Sequence, residues 1–242
     1  MTRHLLTSGL LAGFAVALLA TLLQFAFLER NILLAERYES GALVHFGGPL
    51  AGHNDVAATQ DATASHDQIA HNNATEEAPF WQRQVKTLLA MIITYCGYGL
   101  VMIAGISVAR HFGKTIGPSE ALLWGLAGFA AFSLAPDMGL EPALPGVEGA
   151  DLAQRQVWWL LCAGATLAGL ALLAYGNGPI PRLAAVVLLA APHIIGAPHL
   201  AEFTGILPPE MAAQHAARSL GVGLVAWVTL GGLSRWFLDR AA

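Results

Sequence analysis

Four carboxylates, Asp137, Glu141, Glu148 and Asp151, fall within the stretch APDMGLEPALPGVEGADLAQRQVWW at residues 135–159, between two strongly apolar runs. Further along, His193 and His199 are followed by Glu202 and Glu210 in a segment interrupted by Pro192 and Pro198. A third group lies nearer the amino terminus, where His45, His53, His66 and His71 are mixed with Asp55, Asp61, Asp67, Glu76 and Glu77. Imidazole and carboxylate donors in combination suit divalent cobalt, nickel or zinc. The spacings in the third group match no fixed finger-type site, so its chemistry is loose cation capture. Asp137 and Glu141 are about one helical turn apart and would share a face if the preceding helix persisted. Glu148 and Asp151 read more simply as helix caps or surface partners, Asp151 with Arg155. A single interfacial histidine is often just bonded to nearby backbone, so the pair of histidines with acids counts for more than either alone.

The elements that must position these donors are membrane helices. The chain has 242 residues, 55% hydrophobic and 12% charged, with mean hydropathy +0.56, whereas a soluble domain carries about 25% charged residues. Apolar runs of this length without period-two alternation mean helices, because the bilayer core offers the backbone no water to bond. The expected fold is therefore all-α: one polytopic bundle over residues 1–242, with six spans, or five, near 5–28, 87–109, 119–135, 157–175, 183–195 and 220–238. Residues 5–28 exceed the apolar core of a secretory signal and lack its cleavage site, which makes them a retained first span. Gly9 and Gly13 there have the small-xxx-small spacing that admits a second helix backbone.

Residues 41–79 lack apolar periodicity and cannot bury enough surface to offset their ordering entropy, so a disordered loop is expected. Trp81, Arg83 and Lys86 anchor the second span at an interface, and Trp158 and Trp159 head the fourth. Pro192 and the glycines after it end or unwind the fifth span at a depth where ionisable groups are costly and broken helices form ion sites. Cys96 and Cys162 each fall inside a span, which argues against a structural disulfide.

Basic residues of the short loops set the orientation. With six spans Arg3, Arg110, Lys114, Arg182, Arg235 and Arg240 are cytoplasmic, as are both termini, and all three donor-rich loops face outward. Five spans would separate them. A net charge of −4 and a pI near 6.1 argue against a nucleic-acid partner. No phosphate-binding loop, G-x-S-x-G or H-E-x-x-H occurs, so active transport would draw on a partner or an ion gradient.

Four blocks in order, LAPDMGLEPALPG, ADLAQRQVWW, LLAAPHIIGAP and ILPPEMAAQHAARSL, resemble the CbtA family, the proposed cobalt transporter subunit of bacteria. The resemblance implies about five membrane helices, cobalt uptake for cobalamin synthesis at the bacterial inner membrane, and a small single-span partner, CbtB, with a histidine-containing tail. One departure stands out. The family stretch resembles PPELPG, whereas Glu141-Pro142-Ala143-Leu144-Pro145-Gly146 lacks an acid at Ala143 and carries one at Glu141.

The reading that follows is a lipid-embedded subunit of a cobalt uptake system, with no permanently bound cofactor and cobalt(II) as cargo. His193, His199, Glu202, Asp137 and Glu141 are its candidate metal ligands, and His45, His53, His66 and His71 its loose capture groups. The alternative is an assembly subunit that binds no metal and uses Gly9 and Gly13 to hold a partner helix. An enzyme is disfavoured, because no base, nucleophile and orienting group occur in combination. No oligomeric state is read from the sequence.

Overall fold

The computed structural model describes residues 2–45, 80–201 and 205–240. Their secondary structure is helical apart from one antiparallel bridge between Val147 and Gly205. The helices are α1 (Thr2–Phe27), α2 (Glu29–Glu39), α3 (Phe80–His111), α4 (Pro118–Phe129), α5 (Ala135–Asp137), α6 (Leu152–Tyr175), α7 (Pro179–Ile195) and α8 (Pro209–Arg240), with a π-helical turn, Ala130–Leu134, joining α4 to α5. α1 from Arg3, α3, α6 and α8 are each long and apolar enough to cross a membrane, and α7 is apolar but shorter. α3 and α8, of 32 residues each, extend about 48 Å against a hydrocarbon core of about 30 Å, so they project beyond it.

The bundle is built from antiparallel pairs whose seams are cut by glycine. A side chain on Gly13 would overlap the carbonyl of Tyr95 and the Cα of Cys96, and one on Gly99 would overlap the Gly9 carbonyl, so α1 and α3 touch backbone to backbone. The small-residue spacing read at Gly9 and Gly13 is therefore used within the chain, on α3 rather than on a partner helix. α4 and α8 pair in the same way: Gly231 abuts Ala121 and Gly125, and Gly125 and Gly128 abut Trp227. Buried Val16, Ile106, Trp227 and Leu230 fill the core between these two pairs. α6 and α7 form a third pair through Gly169, Ala185 and Leu189. Van der Waals contact at such close approach holds helices together where water supplies no driving force.

The structure corrects two expectations of the sequence. The helix entering residues 135–159 does not stop at its first proline: Pro136 has no N–H for the Phe132 carbonyl and its ring would crowd that oxygen, and the π turn before it widens the helix so that Ala135 N–H bonds Ala130. The chain stays helical to Asp137. The last helix begins at Pro209, well before residue 220, because a proline in the first helical turn is already preset for helix and Gln214, His215 and Arg218 fit an extramembrane extension. Cys96 and Cys162 are free thiols, as their separate spans require.

Candidate functional site

At one end of the bundle four segments distant in sequence form a cap. Ala35 of α2, Leu144 from the 138–151 connection, Leu207 from the segment before α8, and Met211 of α8 make a small apolar core, with Ile32, Leu34 and Tyr38 against it. The bridge between Val147 and Gly205 stitches the two connections together. Gly146 has φ +79°, a conformation few other residues adopt, and lies under Ile206 and Glu39. Arg83 makes a bidentate ion pair with Glu36, and Gln84 bonds Glu29, so the start of α3 is tied to α2 on either side of the 46–79 segment. The α1–α2 bend is fixed by Arg218, whose Nη1 donates to the Phe27 carbonyl at 3.2 Å and to Asn31 Oδ1 at 3.4 Å. Asn31, only 4% exposed, donates to Gln214 in turn.

Asp137 ends α5 at the same end of the bundle as this cap, two residues past the apolar segment 119–135. It is half-buried, and it is close enough to Tyr98 of α3 for their charges to interact. Burial pushes its carboxyl up to about 6, because a carboxylate withdrawn from water loses hydration that no cation among the described residues replaces. Just beyond it, Gly139 leaves no room for a side chain between Trp158 and Ala197. The Trp158 indole donates to the Pro192 carbonyl at 3.3 Å and meets the His193 ring edge to face, with centroids 6.4 Å apart. The chain after Asp137, the head of α6 and the broken end of α7 thus meet at one buried tryptophan.

His193 is half-buried in this knot, and His199 is exposed in the segment that follows. Glu141 is exposed and lines a groove of about 500 Å³ with Arg155, Trp159 and Ala143. His45 is exposed just after α2. Glu202, His53, His66 and His71 lie outside the described residues. The structure brings the loops bearing His193, His199, Asp137 and Glu141 to one end of the bundle. It does not converge their side chains: among the described residues no three His, Cys, Asp or Glu groups are placed to hold a metal ion together. Asp151 is a helix cap, as its position suggested, with Oδ1 accepting from Gln154 N–H at 3.0 Å.

Sequence reasoning passed over His215. It is 6% exposed on the same stripe of α8 as Met211, and its Nδ1 has no hydrogen-bond partner. The signal lay in the helical spacing of Met211 and His215 after Pro208 and Pro209, hidden by assigning those residues to a loop.

Four helices long and apolar enough to cross a membrane, with acid- and histidine-bearing connections at one end, define a helical membrane protein. Residues 2–239 match the family model of the probable cobalt transporter subunit (CbtA), and the chain belongs to that family. The match extends the resemblance seen from the second span onward to nearly the whole chain. No curated protein and no solved structure matches it. The family is a class of transport subunit, with cobalt as the ion carried and a further subunit implied by the name.

Proposed function

We propose that this chain is the membrane subunit through which cobalt(II) enters a bacterial uptake system supplying cobalamin synthesis. It crosses the inner membrane six times, with the segment 119–135 and α7 completing the crossings of the four longer helices, and both termini lie on the cytoplasmic side. The cap faces outward. His45 and the histidines of the 46–79 segment raise the local cation concentration, His193 and His199 with Glu202 and Glu141 receive the ion, and Asp137 takes it at the bundle mouth. Nickel and zinc share this donor preference, so geometry rather than affinity order sets the choice of metal. The partner is a small single-span subunit of the CbtB kind.

The observation that carries this reading is the position of Asp137. A half-buried carboxyl at this end, with no cation beside it among the described residues, is a poor structural element, because its charge is desolvated without repayment, and a good waystation for a divalent ion. Replacing His193 and His199 together by alanine lowers cobalt accumulation several-fold in cells dependent on this system. Unchanged accumulation with normal protein levels overturns the assignment. An assembly subunit without metal binding is less well supported, because Gly9 and Gly13 are already occupied by α3. Cobalt binding by the purified chain alone separates the two readings.

A further inference from the structure

At the end opposite the cap, α3, α4, α6 and α8 do not close completely. Two cavities of about 430 and 390 Å³ share walls at Gly105, Trp124, Ala171 and Tyr175 and form one apolar groove. Its deep end reaches Phe132 and Trp227, whose rings stack at 5.3 Å in the middle of the bundle. Its mouth passes two exposed charges of opposite sign, Lys114 on the α3–α4 connection and Glu120 in the first turn of α4. Gly105 makes the groove wall, since any side chain there would run into the Trp124 indole that leans across it.

We propose that this groove is a lipid site holding one acyl chain of phosphatidylethanolamine. Its walls belong to apolar membrane helices, so hydrocarbon rather than water fills it. The volume decides between a lipid chain and a partner helix: a spanning helix about 30 Å long and 10 Å across occupies roughly 2,000 Å³ or more, several times the space available. The mouth selects the headgroup. Lys114 Nζ sits 5.4 Å from the centre of the Tyr175 ring, which keeps the ammonium at the edge of the groove where it meets a phosphate. The Glu120 carboxylate accepts from Ser119 at 3.2 Å and from backbone N–H at the start of α4, and feels the charge of Arg235, which is itself bound to Asp239 and the Ile116 carbonyl. Fully exposed, it retains acceptor capacity for a primary ammonium. A phosphate and an ammonium on one headgroup answer both charges. Phosphatidylglycerol answers Lys114 and offers Glu120 only neutral hydroxyls in place of a cation, and phosphatidylcholine has no N–H to give the carboxylate.

The test uses the full chain, stripped of lipid in detergent, returned to nanodiscs containing equal phosphatidylethanolamine, phosphatidylglycerol and phosphatidylcholine, and released for native mass spectrometry. The expected result is one phosphatidylethanolamine retained per chain, favoured about tenfold over phosphatidylcholine, the scale of one charge-assisted hydrogen bond at a wet boundary. Ala171→Phe fills the groove and abolishes retention, Glu120→Gln removes the preference over phosphatidylcholine, and Lys114→Met lowers retention of all three lipids. Should Ala171→Phe fail to accumulate, the two substitutions at exposed charges still decide the matter. Equal retention of the three lipids by the wild type, a preference unchanged in both charge variants, or loss on Ala171→Phe of a co-purifying membrane polypeptide with lipid unaffected overturns the proposal.

Discussion

The end of the bundle that carries Asp239 and the end that carries Asp137 both set a carboxylate beside helix termini, and they treat it in opposite ways. Asp239 receives Arg110 at 2.7 Å and Arg235 at 3.0 Å, and Arg235 also donates to the Ile116 carbonyl at 2.8 Å, so three segments are locked by satisfied charge. Asp137 makes no ion pair among the described residues and sits deeper, with its carboxyl displaced upward. Arg218 of α8 is spent on the backbone of α1 and on Asn31 rather than on an acid. A paired carboxylate fastens helices. One without an ion pair among the described residues fastens nothing, and in the proposed reading it meets the ion.

Both ends hang from the same glycine seams, so the largest effect comes from breaking one. Gly231→Leu would drive a branched side chain into the Ala121 carbonyl and the Gly125 backbone, and overpacking against backbone with no room to move costs about 3 kcal/mol or more. Thermal unfolding in detergent should show a large drop in Tm or no monodisperse protein. A near-wild-type melt would mean that α4 and α8 are not what fixes the two ends relative to each other.

Asp137→Asn sharpens the contrast between the ends more directly. At neutral pH the variant should lose most cobalt accumulation at unchanged protein level. In the wild type the carboxyl titrates near 6, so accumulation falls as pH drops through about 6 and the ligand takes up a proton. The effect on stability has the other sign. The folded chain holds this proton more tightly than the unfolded chain, so Asp137 lowers stability as pH rises from about 4 to about 6, and Asp137→Asn should flatten that part of the melting profile. Uptake that ignores both the substitution and pH would return Asp137 to a purely architectural part.

How much of this was legible differs between the two ends for a physical reason. Helix class and the approximate apolar segments follow from length and composition, since the bilayer leaves the backbone no alternative. The glycine spacing at Gly9 and Gly13 was legible too, although which helix fills it was not. The cap was not, because Ala35, Leu144, Leu207 and Met211 show no common period and meet only through tertiary packing. The π turn that carries the helix through Pro136 depends on how one proline ring is accommodated, which favoured a break when read locally. His215 was lost with the true start of α8. That the connections bearing Asp137, Glu141, His193 and His199 share one end follows from helix parity, but the separation between their side chains had no signature in spacing.

Asp239→Asn should affect stability and spare transport. With its partners about one-third exposed, the network is worth about 1 kcal/mol rather than the full value of a buried pair, visible as a modest fall in Tm that high salt largely erases. Cobalt accumulation should hold at normal protein level. If it fell as far as in Asp137→Asn, the two carboxylates would be serving the ion alike and the contrast between the ends would fail.

The smallest expected effect is at Asp151, which shares the cap end with Asp137 and yet behaves as a fastener. Its Oδ1 satisfies the Gln154 N–H at the head of α6, and losing such a cap costs about 1 kcal/mol. Asp151→Ala should therefore lower Tm slightly and leave cobalt accumulation unchanged at every external concentration, while Asp151→Ser, which restores an acceptor at the cap, should recover the melt. Position at the cap end would then not be enough to make an acid part of the ion path: Asp151 is exposed and already bonded, whereas Asp137 is half-buried and without an ion pair among the described residues. A fall in accumulation on Asp151→Ala that serine does not rescue would place Asp151 among the ligands and move the entry point outward to the head of α6.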